Sequence, residues 1–416
     1  MRVSFEGSGW GLGGNERRTE ENRSRKNEEK IFLEGEERTL RADSPEQLPA
    51  VLAALDEIAA SGNPTLLAAG FVSYEAGVFL EGSAAFARPH EFLPFAEFSV
   101  FDTRQAAPSG PAPTTPAASS LPLFTFKEPA TAQRSLSSNE WSIAVGSIRD
   151  GIARGDVYQV NLSSRSRFPG DVDPFSLADA LYADNPVPYA VTLAGSDWAV
   201  VSNSPELFLD VDLAARRVVT KPIKGTIARA PDEEEDARRR AELLASAKDA
   251  AENVMIVDLL RNDLGKVAEP GRVETTALRA LRSFRHLHHL ESAVQARLRP
   301  STGLADVLRA TLPGGSITGA PKRAALRFIH GLEPVARGAY CGAAGFVRGD
   351  GRAVLNVAIR TALVGRDKVD YHAGSGIVWD SRPDAEWREM ESKSREFGAA
   401  MAALAACAGG KVNDGR

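Results

Sequence analysis

Cysteine is almost absent from this 416-residue chain: Cys341 and Cys407 are the only two, which excludes a disulfide framework and any multi-cysteine metal site. Both read as small buried hydrophobes. Long apolar runs are missing as well. No stretch approaches the ~20 residues that a membrane helix needs, and the opening MRVSFEGSGWGLGG has no apolar signal core. The expected location is therefore the cytoplasm, with no membrane partner. Charge of one sign is not in excess, since 50 basic and 55 acidic residues are interspersed for a net charge of −5. Without a stripe of Lys and Arg to release counterions from a phosphate backbone, nucleic acid is not an expected partner. Gly9, Gly11 and Gly14 formally match a dinucleotide fingerprint, but no strand precedes them and a polar run follows, so the match lacks its context. What is present is 43% hydrophobic content, enough for a sizeable core.

Residues 1–30 run from glycine-rich to charged (NERRTEENRSRKNEEK) and carry too little apolar surface to order themselves, so they read as a disordered extension. Residues 31–102 show an α/β pattern, with a helix expected over 45–60, and form an N-terminal lobe. Residues 103–136, through QAAPSGPAPTTPAASS, have the composition of a surface linker. The main domain is expected over 137–405, with 406–416 a tail. Within it, Ser137 and Glu140 form a capping box ahead of Trp141, Val145, Ile148 and Ile152 at helical spacing, and Gly155 stops that helix. In DVYQVNLSS, Tyr158, Val160 and Leu162 alternate with Gln159, Asn161 and Ser163, the pattern of a strand with one polar face. Further strands are expected at 189–194, 198–202, 206–212, 216–221, 340–347, 353–363 and 368–373, and long helices near 233–264 and 321–330. The fold class is α+β with many antiparallel neighbours.

Ser246 and Asp249 read as a second capping box, opening a helix on which Asp249 and Glu252 share a face. In DAEWREMESKSR, Glu386 and Glu389 are related in the same way, and Lys393 continues that face. Oxygen ligands from two helices suit a hard, hydrated cation such as Mg²⁺; the spacing alone fits a solvated face with surface ion pairs as well. PGGSITGAPK sets Ser316 and Thr318 among glycines ahead of Pro321, offering N–H groups and hydroxyls to an anion at a helix N-terminus, or simply a structural turn. It is not a Walker loop, because Ala320 stands where the lysine is required. Gly374 and Gly376 in AGSGIV permit close approach of backbone to a ligand, or a tight bend. Lys224 in KPIKGTIAR becomes a nucleophile if burial or cationic neighbours free its amine, and otherwise reads as a surface lysine. Glu206 in SPELFL and the cluster His286, His288 and His289 say nothing in isolation.

Taken in order and spacing, GDVYQVNLSSR, SPELFL, KPIKGT, AENVMIVDLLRNDLG, LHHLES, PGGSITGAPK, YCGAAGF, NVAIRTA and GSGIVWDS resemble the chorismate-utilising enzymes. That family includes anthranilate synthase component I, aminodeoxychorismate synthase component I, isochorismate synthases and salicylate synthases. The resemblance spans 137–405 and implies two packed antiparallel β-sheets forming a sandwich, with helices on the outside, the N-terminal lobe completing it and chorismate between the sheets. It implies Glu252 and Glu389 as principal Mg²⁺ ligands, with Asp249 and Glu386 acting through water. Gln159 falls where water-using relatives carry a lysine base, which leaves ammonia as the attacking molecule. Glu206 falls at the general acid for the departing 4-hydroxyl. Lys224 matches the PIKGT lysine of aminodeoxychorismate synthases, which adds covalently to C2 before ammonia attacks C4. Thr318, Tyr340, Arg360, Gly374, Gly376 and Lys393 fall where carboxylates bind, and His289 beside the ring. The implied product is 4-amino-4-deoxychorismate, on the route to p-aminobenzoate and folate. The implied partners are a glutamine amidotransferase subunit as ammonia donor and a separate aminodeoxychorismate lyase, neither of which is fused to this chain. Anthranilate synthase component I is the alternative, although it usually carries alanine at the position of Lys224. A silent glutaminase-binding partner is a third reading, against which Glu206, Glu252 and Glu389 stand. No tryptophan-binding signature is found, so control by tryptophan is not expected.

Overall fold

The computed structural model describes residues 1–12, 30–104 and 132–409. Its core is built from two sheets of nine and ten strands. In the first the order is Gly319–Ala320, Gln159–Pro169, Lys368–Ile377, Thr361–Val364, Ala199–Ser204, Tyr189–Ala194, Arg2–Glu6, Lys30–Leu33, with Gln133–Arg134 also on Gln159–Pro169. In the second it is Ile223–Ala228, Leu287–Leu298, Arg217–Lys221, Leu207–Asp212, Arg352–Val357, Ala343–Gly349, Asn63–Val72, Ala96–Asp102, Arg38–Ala42, with Ala268–Ser283 also on Leu287–Leu298. Neighbouring strands run antiparallel, as the two-faced patterning anticipates.

Period two explains how one strand serves two layers. In Asn63–Val72, Leu67, Ala69 and Phe71 point into the space between the sheets, where they meet Val3, Phe5, Val191, Leu193 and Phe346. Ala68 and Val72 point the other way, into the layer that holds Leu48, Leu52 and Leu55 of the helix Leu48–Ala59. The expected sandwich with outer helices is therefore present.

Several boundaries differ from expectation. The opening residues are not a disordered extension: Arg2–Glu6 is a strand with Val3 opposite Leu193 and Phe5 opposite Val191. Val3, Phe5 and Trp10 are buried, and the Trp10 indole N–H donates to the carbonyl of Ala190 at 2.9 Å. Two alternating apolar residues suffice here because they complete a core that the rest of the chain supplies. The charged run at 13–29, the Pro/Ala-rich stretch at 105–131 and the tail from 410 lie outside the described residues. The flanks of the expected linker are structured, with Gln133–Arg134 paired to Gln159–Pro169. The N-terminal lobe completes the sandwich, as the resemblance implies, since Asn63–Val72 pairs with Ala343–Gly349. The helix expected over 233–264 breaks at Ser246, extended at ψ 111°, into Glu233–Ala245 and Ala247–Gly265. The strand expected over 353–363 is two: Arg352–Val357 lies in one sheet and Thr361–Val364 in the other. Arg360 makes that crossing with a left-handed φ of 50°.

Candidate active site between the sheets

Away from the apolar core the two sheets part around a cavity of about 570 Å³. One wall is the polar face foreseen for Gln159–Pro169, which contributes Asn161, beside Gly374 and Gly376 of Lys368–Ile377. The opposite wall carries Glu206, Lys224 and His289, and the rim carries Asp249, Glu252, Glu386, Glu389 and Lys393 from the helices Ala247–Gly265 and Pro383–Gly409. Tyr340 and Arg360 also line it. Of the residues singled out in the sequence, Gln159 and Thr318 stand behind the wall. Gln159 is fully buried, with its amide nitrogen 2.3 Å from where a Cβ on Gly376 would lie. Gly376 therefore has no side chain because the Gln159 amide occupies that space. Thr318 donates its hydroxyl to the Gly314 carbonyl at 2.8 Å and so shapes the loop that faces the cavity.

Glu206 and Lys224 are delivered by one hairpin. Leu207 is opposite Lys221, so Glu206 precedes one strand while Lys224 follows the other past Pro222. Gly225, at φ 88°, then turns the chain where an L side chain is strained. The carboxyl of Glu206 is buried, and this burial pushes its pKa up to about 7, against the opposing pull of the Lys224 ammonium and a hydrogen bond from Ser316. Ser316 donates its hydroxyl to Glu206 Oε1 at 3.0 Å, while its carbonyl accepts from Lys224 Nζ at 3.1 Å. Ser316 was noted in the sequence only as an anion-cradling hydroxyl; its place between acid and amine depends on a contact spanning 110 residues, which no local spacing reveals.

His289 is buried with Nδ1 at 2.7 Å from the Thr226 hydroxyl, and burial lowers its pKa to about 4, so the ring is neutral. His288 is structural, held between Ser283 and Asp236. Tyr340 stacks on His372, with ring centroids 5.2 Å apart.

Ser246 accepts from the Asp249 N–H at 3.2 Å, which starts the helix, but its own N–H goes to Leu243, so the capping box is half made. Asp249 is thereby free to face the cavity with Glu252. Burial raises the Glu252 carboxyl; Lys224 and Lys248 oppose this, and Asp249 and Glu389 add to it. Burial also acts to raise Glu389, but Lys393 at 2.8 Å, together with Lys248 and Lys224, outweighs it and the carboxyl sits below its usual range. Glu386 is buried and accepts from Ser381 at 2.7 Å. Among the described residues no three Asp, Glu, His or Cys side chains are gathered closely enough to hold a metal ion. A magnesium ion needs only one or two carboxylates, with water and substrate oxygens completing its shell. Two acidic helices on one rim, with Glu252 and Glu389 feeling each other's charge, fit that donor chemistry. Lys248, missed in the sequence, joins this rim at 3.9 Å from Glu252.

The profile of the family described as chorismate binding enzyme matches residues 16–398. Anthranilate synthase component 1 of Streptomyces coelicolor is 43% identical over 261 residues, covering 62% of this chain and 51% of that protein. Aminodeoxychorismate synthase component 1 of Salmonella typhimurium is 42% identical over 239 residues, covering 58% of this chain and 52% of that protein. The matched segment thus spans about half the length of either relative. The crystal structure of anthranilate synthase component I from Streptococcus pneumoniae superposes with a TM-score of 0.73 at 27% identity, covering 88% of this chain and 91% of the other.

Proposed function

Because the chain belongs to the family of chorismate binding enzymes, we propose that it aminates chorismate at C4 as the chorismate-consuming component of an aminodeoxychorismate synthase. Ammonia would come from a glutamine amidotransferase subunit, and a separate lyase would convert the product to p-aminobenzoate. The observation that carries this reading is the convergence of Lys224 and Glu206 on Ser316, an amine and a carboxyl with raised pKa on one wall of the cavity.

Once its ammonium has given up a proton to solvent, the amine of Lys224 adds to ring C2, both ring double bonds shift, and the C4–O bond breaks. Glu206, which burial lets hold its proton up to about pH 7, gives that proton to the departing hydroxyl, which leaves as water. Ammonia then forms the C4–N bond, the double bonds shift back, and the C2–N bond to Lys224 breaks. The surplus ammonium proton returns to Glu206, so the sum is chorismate and ammonia giving 4-amino-4-deoxychorismate and water. Lys224 blocks C2, which leaves C4 as the open position. Arg360 and Lys393 bind carboxylates and Tyr340 and His289 wall the ring. A bound Mg²⁺, held by Glu252 and Glu389 with Asp249 and Glu386 through water, would neutralise the ring carboxylate.

The test is mass spectrometry of the wild-type chain with chorismate and Mg²⁺ but no ammonia, which should yield a peptide adduct at Lys224. With ammonium, wild type should make the 4-amino product, and Lys224→Ala should lose most of it and gain anthranilate. Direct formation of anthranilate by wild type would replace this reading with an anthranilate synthase.

A further inference from the structure

The hydrogen bonds around the hairpin carry one step more, resting on the roles just given to Lys224 and Glu206. We propose that Ser316 is a positioning residue that sets the spacing of the Lys224 amine and the Glu206 carboxyl, and that the buried Arg337 holds Ser316 in place from behind the cavity wall.

The geometry is a chain of hydrogen bonds from core to cavity. Ser316 holds the acid with its hydroxyl, at 3.0 Å, and the amine with its carbonyl, at 3.1 Å. Its own backbone belongs to the short turn Gly315–Ile317, which has few internal bonds to keep it still. The carbonyl of the next residue, Ile317, accepts from Arg337 Nη1 at 3.0 Å. The same guanidinium donates to the Asn161 carbonyl at 2.6 Å, so it ties the turn to the first strand of the polar wall. Arg337 is 1% exposed, and its charge is met by Glu333 through contacts of 2.9 and 2.6 Å. Glu333 in turn accepts from the Ser163 N–H at 2.8 Å, and the ring of Tyr74 lies 4.5 Å from the guanidinium carbon. A guanidinium so enclosed has one geometry available, because any departure leaves a buried charge without its partners. Rigidity therefore passes from Arg337 through Ile317 to Ser316, and from Ser316 to both reacting groups.

The proton on Glu206 supplies a readout that a merely structural serine would not move. The groups acting on this carboxyl are Lys224, the Ser316 hydroxyl, the Ile223 N–H and Glu291, and the buried Cys341 thiol in turn feels its charge. The hydroxyl donates, which favours the ionised carboxylate, so its removal raises the pKa of Glu206 further. Turnover needs the protonated acid. In Ser316→Ala the descending limb of the kcat/KM profile for chorismate consumption should move to higher pH, while kcat below the limb falls about tenfold, the loss expected for one hydrogen bond to a charged group. Ser316→Thr, which keeps the hydroxyl, should restore the limb. Arg337→Lys keeps the charge but not the fork, and should lower kcat with KM little changed; circular dichroism confirms that the compared variants fold. Reading chorismate consumption, whatever the product, separates this outcome from the choice of C4 over C2. A limb that stays put in Ser316→Ala, or that moves to lower pH, overturns the proposal. So does an Arg337→Lys enzyme that folds and turns over as wild type.

Discussion

A carboxyl with a pKa near neutrality is useful only in one protonation state. For Glu206, burial raises the pKa to about 7, so the proton that the proposed reaction asks of it is present below that pH and lost above it. In free enzyme, kcat/KM for chorismate should accordingly fall through a limb near pH 7, and Glu206→Gln should lose about 10²–10⁴-fold in turnover below the limb and show no limb of its own. A flat profile from pH 6 to 8 would remove Glu206 from the role. The neutral His289, with its pKa near 4, contributes no limb in this range, so the assignment is not confounded by the ring beside it. Arg360 illustrates the other use of a single residue. Its left-handed φ of 50° costs on the order of 1–3 kcal/mol for a non-glycine, and it sits where the chain leaves one sheet for the other and where the cavity is lined.

Helices carry the acidic rim, and each is placed by its own start. Ser246 ends one helix and begins the next, turning Asp249 and Glu252 toward the cavity, while Pro383–Gly409 presents Glu386 and Glu389 on the same rim. If these pairs hold Mg²⁺, Glu252→Gln and Glu389→Gln should each raise the Mg²⁺ concentration for half-maximal activity by at least about tenfold. Isothermal titration with Mg²⁺ and chorismate should show the same loss, and unchanged binding in both variants would refute the assignment. Elements of this kind were legible where the signal is local. The Ser137 capping box closes as read, with Ser137 N–H on Glu140 at 2.8 Å. The long pair Ala268–Ser283 and Leu287–Leu298 was not foreseen, because the outer strand is largely exposed and mixes polar with apolar residues in no clean alternation. Arg2–Glu6 escaped for a different reason: its partner lies near residue 190, and glycine and charge around it mask the two apolar positions. The site itself was read from ordered motifs, since spacing alone left each candidate ambiguous. The bridge at Ser316 was beyond reach, being a contact between loops distant in the chain.

The whole molecule depends on strands that are far apart in sequence. Phe5 fills the space between the sheets against Trp10 and Phe346 at centroid distances of 4.9 and 5.8 Å. Phe5→Ala should therefore cost about 3–5 kcal/mol and move the urea midpoint down, while Phe5 itself does not line the cavity, so chorismate turnover by the folded fraction should persist. A midpoint equal to wild type would mean that the opening strand adds nothing to the core. The order of the first sheet has a consequence for how the chain comes into being. Lys368–Ile377 lies between Gln159–Pro169 and Thr361–Val364, and it brings Gly374 and Gly376 to the cavity. During synthesis from the N-terminus, the strand at Gln159–Pro169 must wait some two hundred residues for that neighbour. Pairings so distant fold slowly, and their unmatched edges invite the wrong partners in the interval. A ribosome-bound chain that has not yet emitted Lys368–Ile377 cannot possess the complete cavity, however much of the Glu206 and Lys224 hairpin it has already made.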